Sequence, residues 1–413
     1  MKFDSEPLHV LRQSGTELNL IFVMVPLGIL LLLWLFLRVF PKIWFKMVGV
    51  VDAKRNHSMD GARGILSLWV LTHHLNCMTA VLQPNSSWEP GPGAVRSLMQ
   101  SSFFTAPFFA LTGMLFAGGL LASGGKLNTV QFVRNRVFRL TPAYVVSLLI
   151  VFSAVIFMTQ FTIREPLFEI FKEVVRWCSF GLLARYDINT ANVWTWHGML
   201  WTLPYEIAFY AALPFLALLQ RRAGTPIALV GGLGVIAMFV EPFVFFTTGA
   251  IAAACLGWRH RLAPRIWLAA SLTSLVLLGV TASYSTPIMQ AFFLVPILVA
   301  VAMEIRIFAF LRWRPLRFVG EMSYSIYILH FPVISILYNL ALNPRVVNSY
   351  GFAERTALLT CMGAAIIALS ALSFIFIERP SIDLGRRGTR RAAAMRSKIA
   401  VWLGRKSTLG SQG

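Results

Sequence analysis

Eleven runs of apolar residues follow one another along this 413-residue chain. Each is about 15 to 23 residues long, the length a helix needs to cross a bilayer's hydrocarbon core. They are Leu18 to Leu37, Ile65 to Leu82, Phe103 to Leu121, Tyr144 to Phe161, Leu200 to Leu219, Ile227 to Val240, Phe243 to Gly257, Ile266 to Ala282, Ile288 to Met303, Tyr324 to Leu342, and Ala357 to Ile377. Lipid offers backbone N–H and C=O groups no partners, so spanning runs of this kind close their hydrogen bonds internally as helices. The sequence therefore reads as all-α, a polytopic membrane helical bundle. The Glu241-Pro242 break leaves two readings open, a tight turn between short spans or a kink in one re-entrant element. The first run is too long for a signal-peptide core and no small-residue cleavage site follows it, so it reads as a true helix.

Composition excludes the soluble classes. With 57% hydrophobic residues, 13% charged and a mean hydropathy of +0.68, the apolar content exceeds what a globular core hides. The net charge of +20 does not point to nucleic acid, because the basic residues are scattered over short loops and the aromatics lie in apolar runs. Six alternate stretches hold 27 of the 37 Lys and Arg: Arg38 to Arg55, Lys126 to Arg139, Arg221 to Arg222, Arg259 to Arg265, Arg306 to Arg317, and the tail after Glu378. Basic loops stay in the cytoplasm, which predicts an outside N-terminus and a cytoplasmic C-terminus. The long loop Thr162 to Met199, with Trp177, Trp194 and Trp196, then lies outside as a cap or acceptor platform. Arg386 to Lys406 mixes basic and apolar residues, as in a helix resting on anionic headgroups of membrane lipid. Cys77, Cys178, Cys255 and Cys361 show no paired spacing, so neither a disulfide framework nor a metal site is expected.

Within the second run sit Arg63 and His74. Ionisable groups at membrane depth usually face a protein interior or a watery cavity and carry function. Eleven residues turn a helix roughly three times, which puts the two on one stripe about 16 Å apart. His73 points elsewhere. Entering from the cytoplasm, Arg63 lies near the inner boundary and His74 near the middle of a core about 30 Å thick.

Other patches accompany this pair: Pro107 to Phe116 (PFFALTGMLF), Phe132 to Tyr144 (FVRNRVFRLTPAY), Trp201 to Tyr210 (WTLPYEIAFY), Gly320 to Pro332 (GEMSYSIYILHFP) and Glu378-Arg379-Pro380. With Asp60-Gly61-Ala62-Arg63-Gly64 and His74, their order resembles the membrane-bound acyltransferase-3 family across roughly Met59 to Pro380. The resemblance implies about ten core transmembrane helices, here with one extra N-terminal helix, Leu18 to Leu37. It divides the chain into 1–58 (extra helix and cytoplasmic linker), 59–380 (acyltransferase membrane domain) and 381–413 (basic cytoplasmic tail). It also implies an O-acyltransferase that moves an acyl group, commonly acetyl, from cytoplasmic acyl-CoA to a hydroxyl of a glycan or lipid-linked saccharide, in a bacterial inner membrane. The family's Arg and His fall on Arg63 and His74, and its Arg-x-x-Arg loop on Arg136 and Arg139. No soluble esterase-like domain is expected after the core, so an acceptor step that such a domain handles would need a separate partner.

The chemistry of these residue types is consistent with that expectation. An alcohol attacking a thioester needs a base, and imidazole suits the task near neutral pH, which makes His74 the candidate. Arg63, Arg136 and Arg139 match the phosphates of acetyl-CoA, a co-substrate rather than a bound cofactor. Glu206 is expected below the outer boundary, where it orients or compensates a catalytic histidine, contacts an acceptor sugar, or pairs with a neighbouring Tyr or Trp. His330 reaches a depth near that of His74 as a second base, an acceptor contact or a packed histidine, while Ser323, Tyr324, Tyr327 and Trp201 are candidates for the pocket or acceptor side. No Gly-x-Ser-x-Gly elbow occurs, so direct transfer is preferred to an acyl-enzyme, with Ser67 as the residual nucleophile candidate. The competing class is a glycolipid flippase or permease, but the matched repeats and broken helices of transporters are not found. A catalytically idle scaffold is the third class, and it predicts that His74→Ala changes nothing measurable.

Overall fold

A computed structural model of the chain describes residues 15–43, 56–81, 101–183, 187–193, 196, 198–257, 262–281, 286–342 and 344–387. Trp194 and most of the basic tail lie outside the described residues. The elements run α1 (Gly15–Val39), α2 (His57–Val81), α3 (Ser101–Ala122), α4 (Thr129–Met158) and α5 (Leu167–Trp177). A small hairpin, β1 (Asp187–Ile188) and β2 (Ala191–Asn192), pairs Asp187 with Asn192 and leads to a 3-10 turn at Gly198–Thr202. Then come α6 (Leu203–Ala223), α7 (Pro226–Ala237), α8 (Phe243–Gly257), α9 (Pro264–Thr281), α10 (Pro287–Ala302) and a second 3-10 turn, Arg306–Arg312. The chain continues with α11 (Arg314–Glu321), α12 (Ser323–Ile336), a π-turn at Leu337–Ala341, α13 (Pro344–Ser349), α14 (Phe352–Ser373) and a π-turn at Phe374–Glu378.

Each of the eleven apolar runs falls on a helix. Among the described residues six helices are long and apolar enough to cross a membrane, or seven if the pair α10 and Arg306–Arg312, bent by 75°, counts as one span. This is a multi-pass membrane protein. α2 is not among the six, because Asp60, Arg63, Thr72, His73, His74 and Asn76 dilute its apolar sequence. Glu241-Pro242 separates two short helices, α7 and α8, with a turn between them. The basic stretch Lys126 to Arg139 departs from its reading as a loop. From Thr129 onward it is the start of α4, opened by Asn128, whose Oδ1 accepts from the Gln131 amide at 3.1 Å. Arg is a good helix former, so the charges set which end of the helix stays at the surface without interrupting it.

Helix ends are made locally. Gly224 closes α6 at φ +67°, a left-handed conformation that favours glycine, and Thr286 opens α10 by accepting from the Met289 amide at 3.3 Å. Three cores fill the bundle. One joins α1, α2, α11, α12 and α14; a second joins α3, α6, α7, α8 and α10; a third gathers α4, Trp177, the hairpin and α12. α2 borders the first two, with Ile65 packed against both.

The crossing of α2 with α11 and the turn before it is made by glycine. A Cβ on Gly61 would stand 1.8 Å from the Leu311 carbonyl oxygen, one on Gly64 2.1 Å from that of Leu316, and one on Gly320 1.9 Å from that of Asp60. Backbone therefore lies on backbone, as small residues permit between membrane helices. Gly320→Ala is expected to force α11 off α2 at a cost of about 3 kcal/mol or more. Gly118→Ala, whose nearest neighbour would be the Ala253 methyl at 3.7 Å, is the control. Size-exclusion recovery and thermal unfolding in detergent should separate them, the first variant losing folded protein and the second matching the parent.

Candidate active site

α2 runs without a break from His57 to Val81, so Arg63 and His74 share one rod as their spacing requires. At its first turn Asp60, buried, takes an ion pair from Arg63 Nη2. One turn on, the Ser67 hydroxyl donates to the Arg63 carbonyl at 2.8 Å, so it serves the helix backbone.

A cavity of about 250 Å³ opens beside this helix. Its walls come from five helices and the turn before α6. Arg63 and Val70 belong to α2, Arg136, Arg139 and Leu140 to α4, and Glu206 and Tyr210 to α6. α12 adds Ser323, Tyr324 and Tyr327; α3 adds Thr105, Thr112 and a set of phenylalanines; and the turn adds Thr202. Three arginines and one glutamate line the cavity, with Asp60 paired to Arg63 and Glu378 buried near Arg139 and Arg63. The Arg136 guanidinium lies 5.2 Å from the Phe116 ring centroid and 5.7 Å from that of Tyr210, which holds it in place. Its Nε is buried and makes no hydrogen bond among the described residues. Glu206 accepts from Tyr210. The sequence left its role open, and the structure places it on Tyr210 within the arginine-lined cavity.

His74 and His330 are not among the residues that line that cavity, but lie next to ones that are. Val70, one turn before His74, and Tyr327, whose ring centroid is 6.3 Å from that of His330, form the intervening wall. Tyr327 is fixed by the Thr202 hydroxyl, and Tyr324 donates to the Leu140 carbonyl at 2.8 Å. Both histidines are buried, packed against Phe331 with ring centroids at 4.5 Å and 4.8 Å.

Their mutual hydrogen bond orients both rings. His330 Nδ1 lies 2.9 Å from the Ile326 carbonyl oxygen, which can only accept, so Nδ1 carries the proton. With both rings neutral, His330 Nε2 then holds a lone pair, and His74 Nδ1, at 3.1 Å, must donate to it. The lone pair of His74 is thereby assigned to Nε2. This is the tautomer a base needs when its other nitrogen is held by a neighbour, as in hydrolase triads. Sequence spacing did not reveal this contact, because 256 residues separate the two. His73, expected to point elsewhere, meets His74 edge-on with ring centroids 5.0 Å apart, while Cys77 Sγ lies 3.6 Å from its Nδ1 and the Phe22 ring of α1 6.5 Å from its own.

Two further residues went unassigned. Asp60 could have been found from its i, i+3 spacing to Arg63. Glu378, fully buried at the end of the last π-turn, accepts from Ser325 at 2.6 Å behind the arginines, a contact with no local signal. Trp201 is 36% exposed and meets Tyr205 edge-on at 6.1 Å, outside the cavity that its neighbour Thr202 lines.

Comparison with known proteins decides what kind of catalyst this frame belongs to. The family model described as an acyltransferase domain, that of acyltransferase 3, matches residues 56–376. The chain belongs to the acyltransferase-3 family. No curated protein and no solved structure matches it significantly. The matched span of this membrane acyltransferase begins at Asn56, whose side-chain amide donates to the Ala302 carbonyl at 2.7 Å, and takes in every cavity residue named above. α1 precedes it, yet packs against α14 and α2, with Ile29 filling the space beside Gly363.

Proposed function

We propose that the protein is an integral membrane O-acyltransferase that carries an acyl group, acetyl in the first instance, from cytoplasmic acyl-CoA to a hydroxyl of a glycan or lipid-linked saccharide. The observation that carries this reading is a single helix, α2, with Arg63 on the wall of an arginine-lined cavity and a hydrogen-bonded histidine three turns further on. The donor's phosphates dock on Arg63, Arg136 and Arg139, and the buried Arg136 Nε, without a partner among the described residues, supplies a hydrogen-bond donor. The pantetheine arm extends along the cavity toward Val70 and Tyr327. When those side chains yield, the thioester carbonyl meets the acceptor hydroxyl beside His74, whose Nε2 takes the hydroxyl proton as the alkoxide attacks. The new ester forms, the C–S bond breaks, and the imidazolium returns the proton to the CoA thiolate. Direct transfer is preferred, since Ser67 is committed to its own helix. Glu206 tunes the cavity through Tyr210, and Ser323, Tyr324 and Trp201 stand toward donor and acceptor paths.

The same reading assigns ten core transmembrane helices plus the extra α1, a catalytic unit of 59–380 between 1–58 and the tail 381–413, an inner-membrane location, an outside N-terminus and a cytoplasmic C-terminus. The test uses the full chain in lipid nanodiscs with labelled acetyl-CoA and a panel of saccharides. Labelled ester is the expected product; lipid scrambling with no ester would overturn the proposal. Arg136→Gln should raise the KM for acetyl-CoA about tenfold with little change in kcat, the loss of one charge-assisted phosphate contact. Initial rates over a donor titration check this.

A further inference from the structure

The segment after α4 contains a helix turned inside out with respect to water. On α5 the residues facing out are Leu167 (70% exposed), Phe168 (66%), Phe171 (62%) and Val175 (48%), while the side packed on the protein carries Glu173 and Trp177, both buried. Phe168, Phe171 and Val175 recur at i, i+3 and i+7, a single apolar stripe. The helix is held in this attitude from beneath. The Glu173 carboxylate accepts from the Asn189 amide of the hairpin at 3.0 Å, and the Trp177 carbonyl accepts from Tyr144 Oη of α4 at 2.6 Å. Burial holds the Glu173 carboxyl above the usual carboxylate range.

We propose that α5 dips back into the bilayer beside α4, with this stripe among the acyl chains. Three observations name lipid as the occupant. First, from Arg139 to Met158 α4 rises about 28 Å, close to the thickness of the hydrocarbon core, and the bond of Tyr144 to the Trp177 carbonyl, about 21 Å back along α4 from Met158, brings the end of α5 to acyl depth. Second, the stripe is continuous with the lipid-facing side of α4, where Ile156 and Phe157 are 48% and 60% exposed, and with Phe161 and Ile163 in the connection. Third, the lysine bordering the stripe is paired, Lys172 Nζ lying 2.7 Å from Glu169 Oε1 and 4.5 Å from the Phe168 ring centroid, so its charge is compensated beside the apolar face. The bond from Tyr144 to Trp177, one turn from the Leu140 carbonyl that holds Tyr324, ties this embedded helix to the cavity wall.

The wild-type chain tests this without a substitution. It is reconstituted in bilayers containing a phospholipid with a diazirine on its acyl chain, irradiated and digested with trypsin. Cleavage after Arg164 and Lys172 isolates Glu165–Lys172, and cleavage after Arg139 isolates the spanning stretch Leu140–Arg164 as an internal standard. Lipid adducts on Phe168 and Phe171 at a yield similar to Ile156 and Phe157 are expected. Adducts on α4 with those on Glu165–Lys172 below about a tenth of that yield would overturn the proposal, since a stripe seated among acyl chains takes label as the spanning helix does. So would a cross-link joining α5 of two copies through the same stripe.

Discussion

Replacing His74 with glutamine should lower kcat for acyl transfer by about 10³-fold while leaving the KM for acetyl-CoA within about twofold, the range expected for loss of a general base. The two parameters separate because donor docking is assigned to arginines on the cavity wall and proton transfer to an imidazole behind it. Glutamine keeps the size and polarity of the side chain, so the bundle should unfold at the parent's temperature. Steady-state rates on nanodisc-embedded protein, with thermal unfolding beside them, make the comparison. A variant that retains a third of the parent's kcat would remove His74 from the chemistry.

The second large effect belongs to His330, argued here as a positioning residue. His330→Leu removes one of the hydrogen-bond partners that hold His74, leaving the bond to the Val70 backbone, and kcat should fall about 10²-fold by analogy with losing the orienting member of a triad. His330→Gln should recover much of that loss, because a side-chain carbonyl can accept from the same Nδ1–H. Ring-nitrogen NMR of ¹⁵N-histidine protein reads the tautomer directly. The parent should show His74 protonated at Nδ1, and the leucine variant should show a mixture. Equal activity in the leucine and glutamine variants would reduce His330 to packing.

Much of the bundle could be read from the chain because lipid imposes a simple rule, that apolar runs of sufficient length close their own hydrogen bonds. Every apolar run from Leu18 to Ile377 is accordingly a helix. Where the rule is silent, the reading stopped short. Thr129 to Arg139 is charged, so hydropathy passed over three turns of α4. The two π-turns carry no compositional mark at all. Within the site, Arg63 and His74 were legible because both lie on one helix, where distance follows from counting residues. The bond from His74 to His330 joins α2 to α12, and only packing, through the glycine crossing with α11, decides that they meet. Glu206 shows the same limit. Its depth was readable, but its neighbours were not.

The wall of Val70 and Tyr327 has a bearing on the cell as a whole. A catalyst that takes its donor on one side and serves an acceptor on the other needs a passage through the insulating layer, and an open passage would short-circuit the ion gradients that the layer maintains. In the proposed reaction such a passage would meet Val70 and Tyr327, the latter bonded to Thr202, with His74, His330 and Phe331 packed nearby. Cargo small enough to slip past one side chain can cross while hydrated ions meet a dry septum. Under the proposed transfer, acyl groups would be exported without the leak that a permanent pore would bring.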